Sequence, residues 1–479
     1  MIARGTATAR APARGPAVPA SPEARLPGVV WLFLLVVLVP VTVNAGGLSL
    51  TSLRILMLVL LVPLTVRLLR GAYGPLIATD WLLFAHAGWL TLALAVNNPD
   101  RVIQQAPSVS VEFLGSYLLA RATIRSPEAF IALVRCLAWV VALTIPLALI
   151  ETRTGVPVLP QLIARLPVLA SVEDIPALPR MGLNRVQVVF PHPIHYGLFC
   201  SVVFSLVFVG LKGRVRATRR AAVTLMVGAA GFLSLSSGAL LAIALQCGLI
   251  VWAAMFRGIH WRWRLLVGMF ALAWVVIDLL SNRTPMQVFM SYATFSPHNA
   301  WIRAIIFEWG MMNVRDNPVF GLGLRDWVRP DYLHHPSVDN FWLLQAMRYG
   351  LPGFALLAAG WLALLVGVMR RPFDGDSEAG RLRRAWVFTF IGLTLTLATV
   401  AIWSTIYGLI FFMLGTGAWL LRHEAPAAVM PRSTARRDPS ALPAAPPPAR
   451  PAPRAPGPGR PERAFTRFPD GARPARSPA

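Results

Sequence analysis

The chain has 479 residues, of which 56% are hydrophobic and 14% are charged, and its formal net charge at pH 7 is +24. Because soluble domains are roughly a quarter charged, this composition excludes a soluble globular protein. Apolar windows of about 20 residues recur along the chain, and each can cross a bilayer core of roughly 30 Å. Backbone groups in lipid must be satisfied internally, so we predict an all-α polytopic membrane protein.

Both ends of the chain are basic and rich in Pro and Ala. Residues 1–27 have no apolar core, so we predict a disordered cytoplasmic tail and not a cleaved signal peptide. Residues 424–479 have no periodicity and too little apolar surface to fold. Most other basic residues fall in short loops between apolar segments, which is an orientation signal. We therefore expect contact with membrane lipids and none with nucleic acid.

Between the tails, residues 28–423 form the predicted transmembrane domain. With the amino terminus inside, the alternate connections "RLLRGAYGP", "RATIRSPE", "KGRVRATRR", "RGIHWRWR" and "RRPFDGDSEAGRLRR" are all basic, as the positive-inside rule requires of cytoplasmic loops. Both termini are then cytoplasmic in a multi-pass protein. The twelve predicted helices cover 28–46, 53–68, 77–96, 108–124, 129–150, 193–211, 221–236, 238–256, 265–281, 350–369, 385–402 and 404–421.

Two outer connections, 151–192 and 282–349, are long and polar. A guanidinium stays charged and binds phosphate oxygens bidentately, so arginines gathered here suit a lipid pyrophosphate or an anionic head group. The alternative is that they pair with loop carboxylates such as Glu173, Asp174, Asp316, Asp326 and Asp331. The outer arginines are Arg153, Arg165, Arg180, Arg185, Arg283, Arg303, Arg315, Arg325 and Arg329.

The first outer connection ends in "PRMGLNRVQVVFPHPIHYG", residues 179–197. Its prolines prevent helix formation until the next span begins. This places His192 and His195 at the amino terminus of that helix, where free amides favour an anion. Arg180 and Arg185 precede them, so we predict substrate binding by both arginines and by His192. The alternative is that the histidines only anchor the helix end.

In the second outer connection, residues 301–314 have apolar positions at helical spacing, which predicts an amphipathic helix lying on the membrane with Arg303 near its start. The stretch "YLHHPSVDNFWLLQAMRYGLPG" follows at 332–353. A carboxylate or imidazole in that stretch could accept a proton from an attacking hydroxyl. The alternative is that these polar groups cap a helix at 341–349. They are His334, His335, Asp339 and Asn340.

No metal site or cofactor is expected. The two adjacent histidines and the nearby aspartate match no strong metal-ligand spacing. Cys136, Cys200 and Cys247 all lie inside predicted spans, an arrangement typical of neither a disulfide framework nor a thiolate metal site.

Three segments, "SSGALLAIALQ", "WIRAIIFEWGMMNVRDNPVFGLGL" and "DNFWLLQAMRYGLPG", resemble in order and spacing the signature regions of the O-antigen ligase and polysaccharide polymerase superfamily. "VFPHPIHYGLF" after an arginine is similar to the outer-loop motif of its exopolysaccharide polymerase branch. The resemblance covers about residues 180–370, and the first 150 residues match only in having several helices.

The resemblance implies a GT-C-like, metal-independent, inverting glycosyltransferase of the bacterial inner membrane with its site facing the periplasm. Such enzymes transfer a glycan from undecaprenyl pyrophosphate to an acceptor on a glycan or lipid, and a chain-length regulator is a candidate partner. Arg303 matches the arginine before "NPVFGLG", and Arg185, or else Arg180, matches that of the preceding loop. Both would stabilise the departing pyrophosphate.

The chain departs from the family pattern at two places. Many members have His-Asn where this chain has Asp339–Asn340, so either Asp339 or His335 accepts the proton. "SSG" also lacks the arginine that many relatives carry there. Arg303, His335 and Asp339 are our catalytic candidates, and Arg180, Arg185, His192, His334 and Asn340 our substrate-binding candidates.

Three functions stay open at this point. A polymerase adds the chain to another lipid-linked repeat, and "HPIHYG" favours it. A ligase transfers a finished glycan to lipid A–core or to another acceptor such as a protein. A transporter of polysaccharide precursors would need ionisable residues at mid-membrane. The candidates are few: Asp80 and Glu112 lie near the starts of predicted spans, Asp278 lies near the end of one, and His86 lies within the third.

Overall fold

The computed structural model describes residues 25–45, 48–166, 169–173, 178–292, 297–374 and 376–423. The predicted tails lie outside the described residues, apart from 25–27. The described part is mostly helical, which confirms the all-α prediction. Its first half comprises α1 (Gly28–Leu38), β1 (Thr42–Ala45), β2 (Leu48–Thr51), α2 (Ser52–Leu69), α3 (Ala78–Asn97), α4 (Val102–Ser110), α5 (Ser116–Thr123), α6 (Pro127–Thr154) and α7 (Val158–Ala164).

The second half is also helical. A π-helical turn at Val111–Gly115 joins α4 to α5, a second at Leu206–Gly210 extends α8, and a 3₁₀ turn at Ala418–Leu421 follows the last helix. The helices are α8 (Pro193–Ser205), α9 (Ala217–Leu233), α10 (Ser237–Met255), α11 (Arg262–Leu280), α12 (Pro285–Tyr292), α13 (Pro297–Asp316), α14 (Phe341–Arg370), α15 (Glu378–Thr396) and α16 (Ser404–Gly415).

Eight described helical segments are long and apolar enough to cross a membrane. The chain is therefore a polytopic membrane protein by helix length and composition. Of the twelve predicted spans, the first differs most, because α1 ends after 11 residues and an antiparallel hairpin of β1 and β2 follows it. The eight segments are Ser52–Leu69, Ala78–Asn97, Pro127–Thr154, Pro193–Gly210, Ser237–Met255, Arg262–Leu280, Phe341–Arg370 and Ser404–Leu421.

A kink in α14 shapes the predicted outer end of the bundle. Gly350 has φ +72° inside this helix, and an added Cβ there would collide with the Val319 carbonyl. The preceding glycine-rich loop packs into the kink, with Leu322 N–H donating to the Met347 carbonyl at 2.7 Å. Only glycine adopts such backbone geometry without strain. "NPVFGLG" and "RYGLPG" thus form one interlocked unit.

Helix α3 contacts backbone carbonyls of α14 on both sides of the kink. The indole N–H of Trp89 donates to the Tyr349 carbonyl at 2.9 Å, and His86 Nδ1 lies 2.8 Å from the Gly353 carbonyl. Buried backbone groups need such partners. His86, one of the transport candidates, therefore has a structural contact in the α3–α14 interface.

Two further transport candidates also have structural partners. Asp80 pairs with Arg121 at 2.7 Å, and both side chains are almost fully buried. Glu112, in the first π-helical turn, pairs with Arg54 at 2.7 Å. Removing one member of such a buried pair leaves an uncompensated charge in a low-dielectric interior.

Candidate functional site

The two arginines predicted to bind substrate in the first outer connection both contact the turn between α9 and α10. Arg180 Nη1 donates to the Leu235 carbonyl at 2.8 Å, and Arg185 Nε donates to the Ser234 carbonyl at 3.4 Å. The same turn contacts α8, because a Cβ on Gly197 would collide with the Ser234 side chain. "SLSSG" thus positions the arginines and the start of α8 together.

A tight turn brings Arg180 to this position. Its backbone exchanges two 3.0 Å hydrogen bonds with Leu183, and the two residues between them, Met181 and Gly182, both have positive φ. This is the geometry of a two-residue hairpin turn. The turn directs the chain back toward Arg185.

The segment between Arg185 and α8 is held by the end of α6. The buried Glu151 carboxylate accepts the backbone N–H of Gln187 at 2.7 Å and of Val188 at 2.9 Å. Val188 has φ +55°, a strained backbone for a β-branched residue. A strained, doubly anchored loop keeps Arg185 in a fixed place.

The two histidines lie at the start of α8 as predicted. His192 is the N-cap, and its Nδ1 accepts the Ile194 N–H at 3.1 Å. His195 is fully buried with its ring edge-on to Trp403, at a centroid distance of 4.1 Å. Trp403 precedes α16 and also lies beside His192, at 5.9 Å. The two rings therefore tie α8 to α16 at the predicted outer end.

Arg303 comes from α13, which packs along the first turns of α14. Ile306 and Val314 of α13 lie in one apolar cluster with Leu343 and Met347 of α14. This face is covered by protein, whereas the sequence suggested a helix resting on the membrane. Arg303 is only 9% exposed, and its Nη1 has no hydrogen-bond partner among the described residues.

Asp339 and Asn340 directly precede α14 but differ in their hydrogen bonds and ion pairs. Asn340 is the N-cap of α14, with its Oδ1 accepting the Leu343 N–H at 3.0 Å. This matches the capping alternative. Asp339 is partly buried, and within the described residues it forms no ion pair within 4.0 Å.

The charges of these separate segments act on one another. Burial raises the pKa of Asp339, and the nearby Arg303 and Arg185 oppose that rise. Burial lowers the pKa of Arg185 to about 10, with Arg180 adding to the effect and Asp339 opposing it. Arg185 therefore remains charged at neutral pH. The pKa of Arg303 is lowered by burial and by Arg180, and Asp339 again opposes.

His192 belongs to the same electrostatic group. Burial, together with the positive charges of Arg185 and Arg180, lowers its pKa from 6.5 to about 4. The imidazole is thus neutral at physiological pH and already accepts a hydrogen bond through Nδ1. It suits a neutral hydrogen-bond donor through Nε2 better than a cation.

His334 and His335 stand apart from this group. Both are exposed in the segment between α13 and α14. Among the described residues, the negative charge that acts on Arg185 and Arg303 is Asp339. The structure therefore brings together Arg180, Arg185, His192, Arg303 and Asp339, and leaves the two adjacent histidines at the surface.

Three parts of the site have little sequence signal. Trp403 lies in an apolar segment where an aromatic residue is unremarkable in composition. The Ser234 and Leu235 carbonyls act through the backbone, so their residue types carry no information. Glu151 was only the boundary residue of a predicted helix, although an acidic residue at that end is a weak hint of a contact with a following loop.

The arrangement is suited to binding an anion beside a group that can accept a proton. Arg185 and Arg303 act on the Asp339 carboxylate, and Arg180 acts on both arginines, so the site has excess positive charge. Within the described residues no group of three or more His, Cys, Asp or Glu side chains is placed to hold a metal ion. No protein-family model matches the chain, and no curated protein matches it.

Proposed function

We propose that this protein is an inner-membrane glycosyltransferase that joins polyprenyl-pyrophosphate-linked oligosaccharides, acting as a polymerase of exopolysaccharide or O-antigen type. The supporting observation is the electrostatic coupling of Arg185 and Arg303 to the Asp339 carboxylate, with Arg180 acting on both arginines. The proposal also rests on the resemblance of residues 180–370 to the O-antigen ligase and polysaccharide polymerase superfamily, and on the predicted orientation that makes this site periplasmic.

The donor pyrophosphate would bind the arginines. Guanidinium groups form short, charge-assisted bonds to phosphate oxygens. Arg180 and Arg185 already donate to carbonyls of the 234–235 turn, which fixes their side chains before substrate binds. Arg303 has a free buried nitrogen in the part of the chain that the structure describes. Binding would give that donor the acceptor it lacks.

In the transfer step, the acceptor hydroxyl attacks the anomeric carbon and the bond from that carbon to the pyrophosphate breaks. Negative charge grows on the leaving pyrophosphate, where the arginines stabilise it. The hydroxyl proton passes to the Asp339 carboxylate. Its raised pKa makes Asp339 a stronger base than an ordinary aspartate, and general-base catalysis of this kind contributes roughly 10²- to 10⁴-fold.

Asp339 is preferred over His335 as the proton acceptor. Asp339 lies within the electrostatic reach of Arg185 and Arg303, whereas His335 is exposed. Asp339→Asn should then abolish transfer while His335→Ala leaves most of it. The reverse ranking of the two variants would reassign the base to His335.

A ligase is the second candidate, since the same donor chemistry serves both reactions. Purified protein incubated with an undecaprenyl-pyrophosphate-linked repeat and no other acceptor separates the two. A polymerase gives lipid-linked glycans with several repeats, and a ligase gives a product only after lipid A–core or another acceptor is added. Movement of the lipid-linked sugar without any new glycosidic bond would support a transporter and contradict both.

A further inference from the structure

A polar cavity lies at the end of the α16 segment opposite to Trp403. Its volume is about 370 Å³. The segment Ser404–Leu421 separates the two ends, and 18 helical residues span about 27 Å. The cavity, which we call the basic pocket, is lined by Tyr73, Arg121, Ile124, Arg125, Ala418, Trp419, Arg422 and His423.

Arginine side chains in the wall of the basic pocket donate hydrogen bonds to backbone carbonyls of residues 72–75. Arg422 Nη1 donates to the Tyr73 carbonyl at 2.6 Å, and its Nη2 contacts the Pro75 carbonyl. Arg125 donates to the Ala72 carbonyl at 3.2 Å. These two side chains are thus held in place by backbone carbonyls.

The pocket has more positive charge than its surroundings neutralise. Arg121 pairs with Asp80 at 2.7 Å. Arg422 interacts electrostatically with Arg121, Arg125 and Asp80, and more weakly with the Tyr117 hydroxyl. Among the described residues, three guanidinium groups therefore share one carboxylate. Gathering like charges at a partly buried place costs free energy, and a bound anion offsets that cost.

We propose that the basic pocket binds a phosphate group, presented by an anionic phospholipid of the adjacent leaflet or by a free phosphate compound. Three guanidinium groups around a cavity match phosphate geometry. The volume exceeds what inorganic phosphate fills and suits a phosphate with an attached glycerol. By the positive-inside prediction this end is cytoplasmic, the side where anionic lipid attracts basic residues.

This pocket is separate from the proposed transferase site, so either proposal can fail alone. The test uses the full-length chain, purified in detergent and stripped of lipid, in native mass spectrometry. It is titrated with phosphatidylglycerol, with phosphatidylcholine, and separately with inorganic phosphate. The variants are Arg422→Gln, Arg422→Lys and Arg125→Gln. Arg219→Gln is the matched control, since Arg219 is exposed at the start of α9 and does not line the pocket.

We expect phosphatidylglycerol to bind in preference to phosphatidylcholine. Loss of one charge-assisted bond should weaken binding roughly 10- to 100-fold in Arg422→Gln and Arg125→Gln, and less in Arg422→Lys, which keeps the charge. Competition by inorganic phosphate would assign the site to the phosphate group alone, and its absence would assign it to the lipid head group. Equal binding of both lipids, or an Arg422→Gln affinity equal to that of Arg219→Gln, overturns the proposal.

Discussion

Replacing Arg303 by Gln removes one guanidinium from the candidate site and keeps a polar but shorter side chain. If Arg303 binds the leaving pyrophosphate, the loss of its bonds costs about 2.7–4 kcal/mol in the transition state. Donors that act on charge growing in the transition state are worth roughly 10²- to 10³-fold in kcat. We expect the rate of glycan transfer to fall within that range.

The pH dependence of the same variant provides a second readout. Arg303 opposes the effect of burial on Asp339, so its removal raises the pKa of Asp339 further. Because the ionised carboxylate accepts the proton, activity should be lost at a higher pH in Arg303→Gln than in the wild type. Arg303→Lys keeps the charge, so its acid limb should stay near the wild-type position although its rate falls with the loss of the planar fork.

Protein stability separates a functional from a structural role. Arg303 is 9% exposed with an unpartnered nitrogen among the described residues, so a neutral side chain there should not lower the unfolding temperature in detergent. The assay is transfer from a lipid-linked donor over a pH series, with the unfolding temperature measured in parallel. A wild-type rate, or an acid limb that does not move, would refute the reasoning.

Four further variants test other parts of the structure. Asp339→Asn should abolish glycan transfer and raise the unfolding temperature at neutral pH. A raised pKa means that the folded state favours the uncharged form of this side chain. An unchanged transfer rate would exclude Asp339 as the base. His192→Asn keeps a side-chain oxygen that can cap α8. The wild-type unfolding temperature should fall as the pH drops from 6.5 to about 4, because the buried imidazole must then take up a proton, and this fall should be absent in the variant. A fall of the same size in both proteins would contradict the buried neutral imidazole. Gly350→Ala should destabilise by at least about 1–3 kcal/mol in denaturant or thermal unfolding, since φ +72° is strained for any residue with a Cβ; wild-type stability would show that the kink is not fixed there. Asp80→Ala leaves Arg121 buried and unpaired, so a loss of about 3–5 kcal/mol is expected in the same measurement, and a loss below about 1 kcal/mol would mean that water reaches the pair.

Hydropathy was sufficient to predict a polytopic helical protein because each span must satisfy its own backbone in lipid. It was less informative where short helices meet irregular segments. Residues 28–46 are continuously apolar, yet α1 ends at Leu38, and Thr42–Ala45 forms a hairpin strand. A hydropathy window cannot separate an apolar strand from the end of an apolar helix.

The site was predictable as a set of residue types and less so as a geometry. Arginines and histidines in the predicted outer segments marked Arg185, Arg303 and His192, but the same criterion also marked arginines outside the candidate site, such as Arg329, which pairs with Asp326. Asp339 is partly buried and His335 is exposed. This difference separates the two candidates for the proton acceptor, and it could not be predicted for residues only four positions apart. The role of the Ser234 carbonyl arises only when α8, α9 and α10 pack together.

The most direct test of the proposed function is the mass distribution of products formed by the purified protein from undecaprenyl-pyrophosphate-linked repeat units without added acceptor. A polymerase gives a ladder of lipid-linked glycans spaced by one repeat, and that ladder should be lost in Arg303→Gln at the wild-type pH optimum. An unextended substrate, with no glycosidic product after any acceptor is supplied, would contradict the assignment of a glycosyltransferase.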